Sequence, residues 1–216
     1  MTSRILLFCL TCLPLGHAQT SSSTSLFDGK TLQGWQVTHT DHARFWSVVN
    51  GVITCSNGDQ KMPTNTYLAT DKEYENFIFT CDFRLSGDHA TGLINSGIQY
   101  RTELHETQRK GAWKVIGYQA DIGKGYWGDL FDEHRRGKLA GGDTKNLFKQ
   151  FKEDGWNTYK IVCKGDHHRL YINDHLTVDY TEKNPKIPGR GYFALQLHSG
   201  GVAKMEYKNI RIQELK

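Results

Sequence analysis

The sequence lacks several features that mark common protein classes. It has 27 Lys and Arg against 23 Asp and Glu, and these charges are interspersed without a long run of one sign. No basic stripe for nucleic-acid phosphates is therefore predicted. Only 4 prolines stand against 22 glycines, and no long amphipathic helical pattern occurs; the best short helical candidate is the charged segment 146–153.

Cysteine is also scarce, and its spacing does not match a zinc site. Of the 5 cysteines, three lie beyond the N-terminal apolar run, namely Cys55, Cys81 and Cys163. Each falls on the apolar phase of a strand-like segment, so we interpret all three as small buried side chains. An oxidising compartment would permit one disulfide, but three cysteines cannot all pair within one chain.

Long hydrophobic runs are absent except at the N-terminus. Arg4 precedes an apolar run over residues 5–15, and small residues follow it. The run is too short for a transmembrane anchor, and its basic start and small-residue exit predict a secretory signal peptide over residues 1–18, cleaved after Ala18. Lipoprotein processing at Cys12 is less favoured, because no small residue directly precedes that cysteine.

The rest of the chain predicts one all-β domain. The signal peptide implies a secreted or periplasmic protein without stable membrane insertion, and residues 19–25 form a polar linker before a single domain over 26–216. Within that domain, many short alternating segments are separated by turn signals such as Asn50-Gly51. This pattern predicts an antiparallel β-sandwich. Residues 124–143 hold five glycines and are predicted to form a long loop.

Three of the predicted strands carry polar side chains at every second position. Successive side chains on a strand point to opposite faces, so each of these strands has one core face and one polar face. The three sets are Gln99 and Arg101, Gln119 and Asp121, and Gln196 and His198, with Glu103 continuing the first alternation. Any one of these residues alone would be read as solvated. Their repetition predicts that the six share one concave face and form a site.

The predicted loop adds aromatic and acidic candidates. Tyr126 and Trp127 could stack on the C–H face of a sugar ring, or they could anchor the loop in the core, and the sequence leaves both interpretations open. Asp132 and Glu133 are predicted to lie where the loop folds over the polar face. The loop is therefore expected to form a rim above the site.

Eight short motifs, in order along the chain, carry a family resemblance. They include LFDGKTLQGW, NSGIQYR, GYQADIG, GYFALQLHSG and EYKNIRI, and together they cover nearly all of the chain after the signal peptide. The sequence resembles the 3-keto-disaccharide hydrolase domain family. The resemblance implies a jelly-roll sandwich of the concanavalin A-like lectin and glucanase type, and an exported enzyme that cleaves glycosides oxidised at the sugar C3. Where many members carry Glu and Gln, this chain has Gln119 and Asp121, which moves the carboxylate by two residues.

The chemistry implied by this resemblance needs a base, a group that stabilises an enolate, and an acid. A keto group at C3 makes the C2 proton acidic; its removal leads to elimination of the C1 leaving group, and water then adds back. The catalytic candidates are Asp121, His198, Glu103 and Arg101. The substrate-binding candidates are Gln99, Gln119, Gln196, Tyr126, Trp127, Asp132 and Glu133. The oxidised glycoside would be supplied by a sugar C3 oxidoreductase acting upstream.

A metal role and two non-catalytic functions stay open at this point. A divalent cation could polarise the ketone and a hydroxyl together, but no metal motif such as HExxH is present, so no ligands are assigned. Position 105 is His, so the ExDxxE signature of laminarinase-type glucanases is absent, which argues against ordinary glycoside hydrolysis. The alternatives are a non-catalytic carbohydrate-binding module and an accessory domain that binds a protein partner.

Overall fold

Short strands dominate the computed structural model, which describes residues 22–216. The predicted signal peptide over 1–18 lies outside the described residues, as do the first three residues of the predicted linker. The first strands are β1 (Thr24–Ser25), β2 (Trp35–Val37), β3 (Trp46–Val49), β4 (Val52–Ser56), β5 (Thr66–Tyr74), β6 (Phe77–Asp88), β7 (Asn95–Glu106) and β8 (Trp113–Gly123). The remaining strands are β9 (Leu130–Glu133), β10 (Gly137–Ala140), β11 (Asn157–Lys164), β12 (His167–Ile172), β13 (His175–Thr181), β14 (Gly191–Leu197) and β15 (Val202–Glu214).

These strands form two antiparallel sheets. Sheet A has the order β13-β12-β11-β6-β15-β4-β3, with β1 also paired to β15, and sheet B has the order β10-β9-β8-β7-β14-β5-β2. Every strand pairing is antiparallel, which confirms the predicted all-β sandwich. The only helical elements within residues 22–216 are 3-10 turns at Thr40–Phe45 and Leu147–Lys149. No helix in this part of the chain is long and apolar enough to span a membrane.

The core lies between the sheets and follows the alternation in the sequence. In β6, the odd-numbered residues from Phe77 to Leu85 are buried, and their neighbours are partly exposed. Phe79 stacks on Phe193 of sheet B with ring centroids 4.5 Å apart, which joins the two sheets. Each fully buried side chain of this size contributes on the order of 2 kcal/mol. The three cysteines that we interpreted as small buried side chains are buried and unbridged in the described chain: Cys55, Cys81 and Cys163.

Two hairpins use the predicted turn chemistry. The β3–β4 turn places Asn50 at a φ of 50° and Gly51 at 77°, and the β12–β13 turn places Asn173 at 50° and Asp174 at 61°. Asn, Asp and Gly tolerate this left-handed conformation, and two such residues in a row match the twist of the flanking strands. The predicted Asn-Gly hairpin is therefore confirmed.

The long loop predicted over 124–143 is wrong. The segment contains β9 and β10, which extend sheet B beyond β8 as its outer edge. Its glycines serve the turns between these short strands, with positive φ at Gly125, Gly128 and Gly137. The helical candidate at 146–153 is reduced to the single 3-10 turn Leu147–Lys149.

The β7–β8 hairpin curls over the face of sheet B that points away from the core, which we call the polar face. Three strands separate β8 from β2 in the sheet, yet Trp113 N donates to Thr38 O at 2.8 Å, and Thr40 N donates to Gly111 O at 3.0 Å. The hairpin also closes a small apolar cluster over this face, made of Tyr67, Ala69, Leu104, Val115 and Ala194. The polar face is therefore sheltered at this end and is not an open groove.

Candidate functional site

Three glutamines from neighbouring strands line up on the polar face. Gln99 on β7, Gln119 on β8 and Gln196 on β14 have exposed fractions of 0%, 2% and 0%. Gln99 Nε2 donates to Gln119 Oε1 at 3.2 Å, and Gln119 Nε2 donates to Gln196 Oε1 at 3.2 Å. Because buried amides are costly unless hydrogen-bonded, this mutual pairing explains how three glutamines can share a sheltered face.

A glycine makes the crossing between these strands possible. Gln119 and Gln196 lie on opposite sides of β7, and the Gln119 side chain passes over Gly97. A Cβ atom at position 97 would lie 2.5 Å from Gln119 Cδ. No side chain can occupy that space without displacing Gln119, so Gly97 is required for the contact.

The hydrogen-bond chain ends at a tyrosine that the sequence analysis missed. Gln196 Nε2 donates to the Tyr67 hydroxyl at 3.0 Å, and the Asn65 side chain also hydrogen-bonds to Tyr67. Tyr67 alternates with Ala69 on β5, which is a weak signal for one face of a strand. The order of strands in the sheet decides that β5 lies beside β14, and this order cannot be read from the sequence.

Asp121 is the buried carboxyl group of the polar face, with an exposed fraction of 4%. Asn95 Nδ2 and Ile122 N donate to its Oδ1 at 2.8 Å and 3.0 Å. Burial raises the pKa of Asp121, the Asn95 hydrogen bond opposes that effect, and the Glu133 charge adds to it, so that the pKa is raised to about 7. Asp121 can therefore exist in both protonation states near neutral pH.

Glu133 and His198 complete a group of three titratable side chains. Burial raises the pKa of Glu133 above its usual range, while the charges of His134 and His198 oppose that rise. His198 directly follows β14, where its N–H donates to Asn95 O at 3.0 Å. Its Nδ1 lies 2.8 Å from the carbonyl oxygen of Ser199. A carbonyl can only accept, so Nδ1 carries the hydrogen and Nε2 is left as the ring nitrogen that can accept one.

A β-bulge moves two predicted site residues to the other face. The pairing with β8 shifts between Tyr100 and Glu103, and Arg101 has a φ of 48°. The extra residue reverses the alternation, so Thr102 rather than Arg101 follows Gln99 on the polar face, where its hydroxyl donates to Gln99 Oε1. The predicted placement of Arg101 and Glu103 beside Asp121 is therefore wrong.

Both displaced residues have structural partners elsewhere. Arg101 Nε and Nη2 donate to the carbonyl oxygen of Glu75 at 3.0 Å and 2.7 Å, in the turn between β5 and β6. Glu103 accepts a hydrogen bond of 2.9 Å from Arg135 Nη1 and contacts His105. These contacts tie neighbouring turns together and do not reach Asp121.

Asp132 also faces inward, contrary to its predicted substrate-binding role. It pairs in register with the core residue Tyr118, its side chain has no exposed surface, and it forms ion pairs with Arg135 and Arg136. Arg136 and Tyr118 both bind Glu182, with Nη2–Oε2 and OH–Oε2 distances of 2.7 Å. Asp132 therefore belongs to an ion network between the sheets. Its neighbour Glu133 points the opposite way, as strand alternation requires.

The two aromatic residues predicted to contact a sugar, Tyr126 and Trp127, lie in different surroundings. The Tyr126 ring lies 6.3 Å from that of Phe131, which pairs with Gln119 and shares its face, so Tyr126 borders the polar face. Trp127 instead packs on Phe151 with ring centroids 4.4 Å apart. It lines a cavity of about 210 Å³ at the end of the sandwich. The predicted rim is thus a tight turn. It directs the Tyr126 ring to the border of the polar face and the Trp127 ring to the cavity.

The donors on this face do not form a metal-binding set. Within residues 22–216, no three His, Cys, Asp or Glu side chains come close enough together to hold a metal ion. The oxygen donors around Asp121 are mostly amide groups that already bond one another.

The family comparison covers almost the whole described chain. The family model of the 3-keto-alpha-glucoside-1,2-lyase-like domain matches residues 22–213. The chain belongs to this family. The resemblance carried by the sequence motifs is thereby confirmed, and membership supports a carbohydrate-related function. No curated protein sequence matches the chain.

Solved structures similar to this family member share its fold at low sequence identity. A candidate glycosyl hydrolase from Parabacteroides distasonis has a TM-score of 0.63 and 21% identity, covering 90% of this chain and 94% of that one. Carbohydrate-binding module CBM66 from Bacillus subtilis has a TM-score of 0.59 and 14% identity, covering 84% and 96%. A Bacillus licheniformis β-glucanase has a TM-score of 0.54 and 12% identity, covering 92% and 100%. At these identities the likeness shows the jelly-roll fold alone.

Proposed function

We propose that this protein cleaves 3-keto-glycosides by removing the C2 proton and eliminating the C1 leaving group. The observation that carries the proposal is Asp121, a buried carboxyl group with a pKa of about 7 among neutral hydrogen-bonding side chains. A general base works best when its pKa lies near the working pH. The family's description, a 1,2-lyase acting on 3-keto-glucosides, names a reaction that requires such a base.

Asp121 is proposed as the base. Its ionised carboxylate takes the C2 proton, which is acidic because the adjacent C3 ketone spreads the resulting charge onto oxygen. Asn95 holds Oδ1 at 2.8 Å, which leaves Oδ2 for the substrate. The base is thus fixed in orientation before substrate arrives, which removes part of the entropic barrier.

Glu133 and His198 are proposed to return a proton to the leaving oxygen. Burial raises the pKa of Glu133, which favours its protonated form, and the charge of His198 acts on this carboxyl group. When the C1–O bond breaks, the electron pair from C2 forms the C1=C2 double bond and the leaving oxygen takes this proton. Water then adds across C1=C2, with its hydroxyl at C1 and its proton at C2, to give the free 3-keto sugar.

The amide groups suit recognition of a sugar. Gln99, Gln119 and Gln196 present neutral donors and acceptors, the groups that hydroxyls and a ketone can bond without a charge being buried. Tyr126 at the border of the face offers a ring for the apolar side of the sugar. These contacts support a site for one oxidised sugar ring.

Two expectations about context belong to the same proposal. A 3-keto-glycoside arises from an ordinary glycoside by loss of two electrons and two protons at C3, so a sugar C3 oxidoreductase must act before this protein. The basic and apolar N-terminal stretch supports export, with cleavage after Ala18. Mass spectrometry of the protein recovered from the medium or periplasm would test the cleavage site.

The decisive experiment compares oxidised and unoxidised substrates. Purified protein is incubated with 3-keto-trehalose, a 3-keto-glucoside and the matching unoxidised glycosides, and the released sugar is measured by chromatography. Release from the 3-keto compounds alone is expected. Cleavage of the unoxidised glycosides at equal rates, or no cleavage of any 3-keto compound, contradicts the proposal.

A non-catalytic carbohydrate-binding module is the second candidate. The mutual hydrogen bonding of the glutamines favours it, because a rigid row of neutral amides can bind hydroxyls without doing chemistry. Calorimetric binding of unoxidised glycans, together with no turnover of any 3-keto substrate, would favour this candidate over the enzyme.

A further inference from the structure

Four hydrogen bonds on the polar face form a chain that runs in one direction. Thr102 Oγ1 donates to Gln99 Oε1 at 3.4 Å, and Gln99 Nε2 donates to Gln119 Oε1 at 3.2 Å. Gln119 Nε2 donates to Gln196 Oε1 at 3.2 Å, and Gln196 Nε2 donates to the Tyr67 hydroxyl at 3.0 Å. Tyr67 is therefore the last acceptor of this chain, which we call the amide relay. Aligned hydrogen bonds polarise one another, so the relay strengthens the last hydrogen bond, which Gln196 donates to Tyr67.

The amide relay does not use the Tyr67 proton. Gln196 Nε2 donates to the Tyr67 oxygen, so the hydroxyl accepts in this bond and its own O–H can be donated elsewhere. The neighbouring Asn65 is fixed by its Oδ1, which accepts a hydrogen bond of 2.9 Å from Ser199 N.

Tyr67 shares the electrostatic environment of the carboxyl groups. Burial is the main reason that its pKa is raised, and the charges of Glu133 and Asp121 add to the rise. A phenol with a raised pKa stays protonated at neutral pH and acts as a hydrogen-bond donor. Tyr67 pairs in register with Gln196, Gln196 with Gly97, and Gly97 with Asp121. The hydroxyl and the proposed base therefore belong to one row of residues across four neighbouring strands.

We propose that Tyr67 is a further catalytic residue, whose hydroxyl donates a hydrogen bond to the enolate oxygen that forms at C3. This inference rests on the proposed 3-keto-glycoside elimination. Asp121 takes the C2 proton, the C2–H electron pair forms a C2=C3 bond, and the C3 carbonyl becomes an enolate oxygen. When the leaving group departs, the pair moves to C1=C2 and the ketone reforms. The Tyr67 proton stays on Tyr67 throughout.

Removal of the Tyr67 hydroxyl tests the assignment, and two leaving groups distinguish it from leaving-group protonation. Tyr67→Phe is compared with wild type on a methyl and on a 4-nitrophenyl 3-keto-glucoside. Loss of one oxyanion donor lowers kcat by about a hundredfold or more. The kcat values for the two substrates should fall by the same factor, since the enolate forms before the leaving group departs in each. A loss confined to the methyl glucoside would assign Tyr67 to the leaving oxygen and overturn the proposal.

Exchange of the C2 proton provides a second readout. Whenever enolate formation is reversible, wild-type protein in D₂O should exchange the C2 hydrogen of a 3-keto-glucoside for deuterium. The exchange is monitored by NMR. Tyr67→Phe should slow the combined rate of exchange and elimination on the order of a hundredfold. Gly97→Ala should slow it about tenfold with Tyr67 intact, because a Cβ at 97 displaces Gln119 and breaks the amide relay.

Tyr159→Phe is the matched control. Tyr159 is fully buried in the core, and its hydroxyl has no hydrogen-bond partner among the described residues. Loss of this hydroxyl should leave the turnover of both substrates and the thermal midpoint of unfolding nearly unchanged. The midpoint of Tyr67→Phe should also stay within a few degrees of wild type, because the ring that packs on Ala69 and Val115 is kept.

The outcomes separate the two proposals. If wild type cleaves 3-keto-glucosides and folded Tyr67→Phe does so within threefold of wild type, the Tyr67 assignment is wrong and the elimination stands. If wild type neither exchanges nor cleaves any 3-keto-glucoside, the elimination and the Tyr67 assignment are both wrong.

Discussion

Asn95 Nδ2 donates a hydrogen bond of 2.8 Å to Asp121 Oδ1, from the start of β7 to the end of β8. Burial favours the neutral acid at Asp121, and this hydrogen bond favours the carboxylate. The two effects leave the pKa at about 7, so the group can take up or release a proton near neutral pH.

Asp121→Asn should abolish most of the proposed activity. The amide keeps the shape of the side chain but cannot accept a proton, so turnover of a 3-keto-glucoside should fall by about a hundredfold or more. Asp82→Asn is the matched control, since Asp82 bonds Thr158 and Asn209 on the outer face of sheet A. Equal activities in the two variants would remove Asp121 from the mechanism.

The same substitution should stabilise the protein at alkaline pH. The pKa of Asp121 in the folded chain lies above its ordinary value of 3.8, so the folded state resists ionisation. Its contribution to stability is fully present below about pH 4 and is lost as pH rises to about 7, amounting to on the order of 4 kcal/mol. Asp121→Asn should therefore gain in urea midpoint over wild type at pH 8, and this gain should shrink towards pH 4. A difference independent of pH would contradict the assignment.

Asn95→Leu should move the pH dependence of turnover upwards. The substitution removes the hydrogen bond that lowers the pKa of Asp121, while burial remains. A hydrogen bond to a charged group contributes roughly 1.5–3 kcal/mol, so the rising limb of the kcat profile should shift by about one pH unit or more. A profile that coincides with wild type would show that Asp121 does not set the rising limb.

Glu182→Gln should weaken folding and leave the chemistry intact. Burial raises the pKa of Glu182, but the hydrogen bonds from Arg136, Tyr118 and Asn184 together outweigh it and hold the pKa below the ordinary 4.5. The resulting stability is present above about pH 4.5 and is lost as pH falls below it. Breaking this buried pair should cost about 3 kcal/mol at pH 7, measured by urea unfolding. Unchanged kcat in the folded fraction is the accompanying expectation, and a kcat loss without a stability loss would contradict it.

Arg101→Met and Glu103→Gln should retain turnover within about threefold. The bulge directs both side chains away from Asp121, and Arg101 instead secures the Glu75 carbonyl. Loss of Arg101 should lower the thermal midpoint by several degrees, because this buried side chain donates two hydrogen bonds to the Glu75 carbonyl oxygen. A hundredfold loss of kcat in either folded variant would return that residue to the site.

The sequence pattern was a sound guide wherever strand alternation ran undisturbed. Alternation placed Gln99, Gln119, Asp121 and Gln196 on one face, and the structure brings them together there. It failed at Arg101, because one extra residue in β7 reverses the phase of all that follows. A bulge of this kind depends on how two strands pair, and the amino-acid sequence of one strand does not reveal it. The catalytic roles of these residues stay predictions.

By itself, the amino-acid order determined the fold class, the family, the turn positions and the inward-facing side chains, since each depends on local backbone preference and the two-residue period of a strand. Only the tertiary structure decided that β5 lies beside β14, and this contact brings Tyr67 to the end of the amide relay. It alone also decided that the β7–β8 hairpin curls over one end of the polar face and that Asp121 is buried, which raises its pKa. Strand order and burial depend on contacts between residues far apart in the chain. Alternative strand orders differ in the free energy of the whole sheet, and the preferences of any one segment do not decide between them.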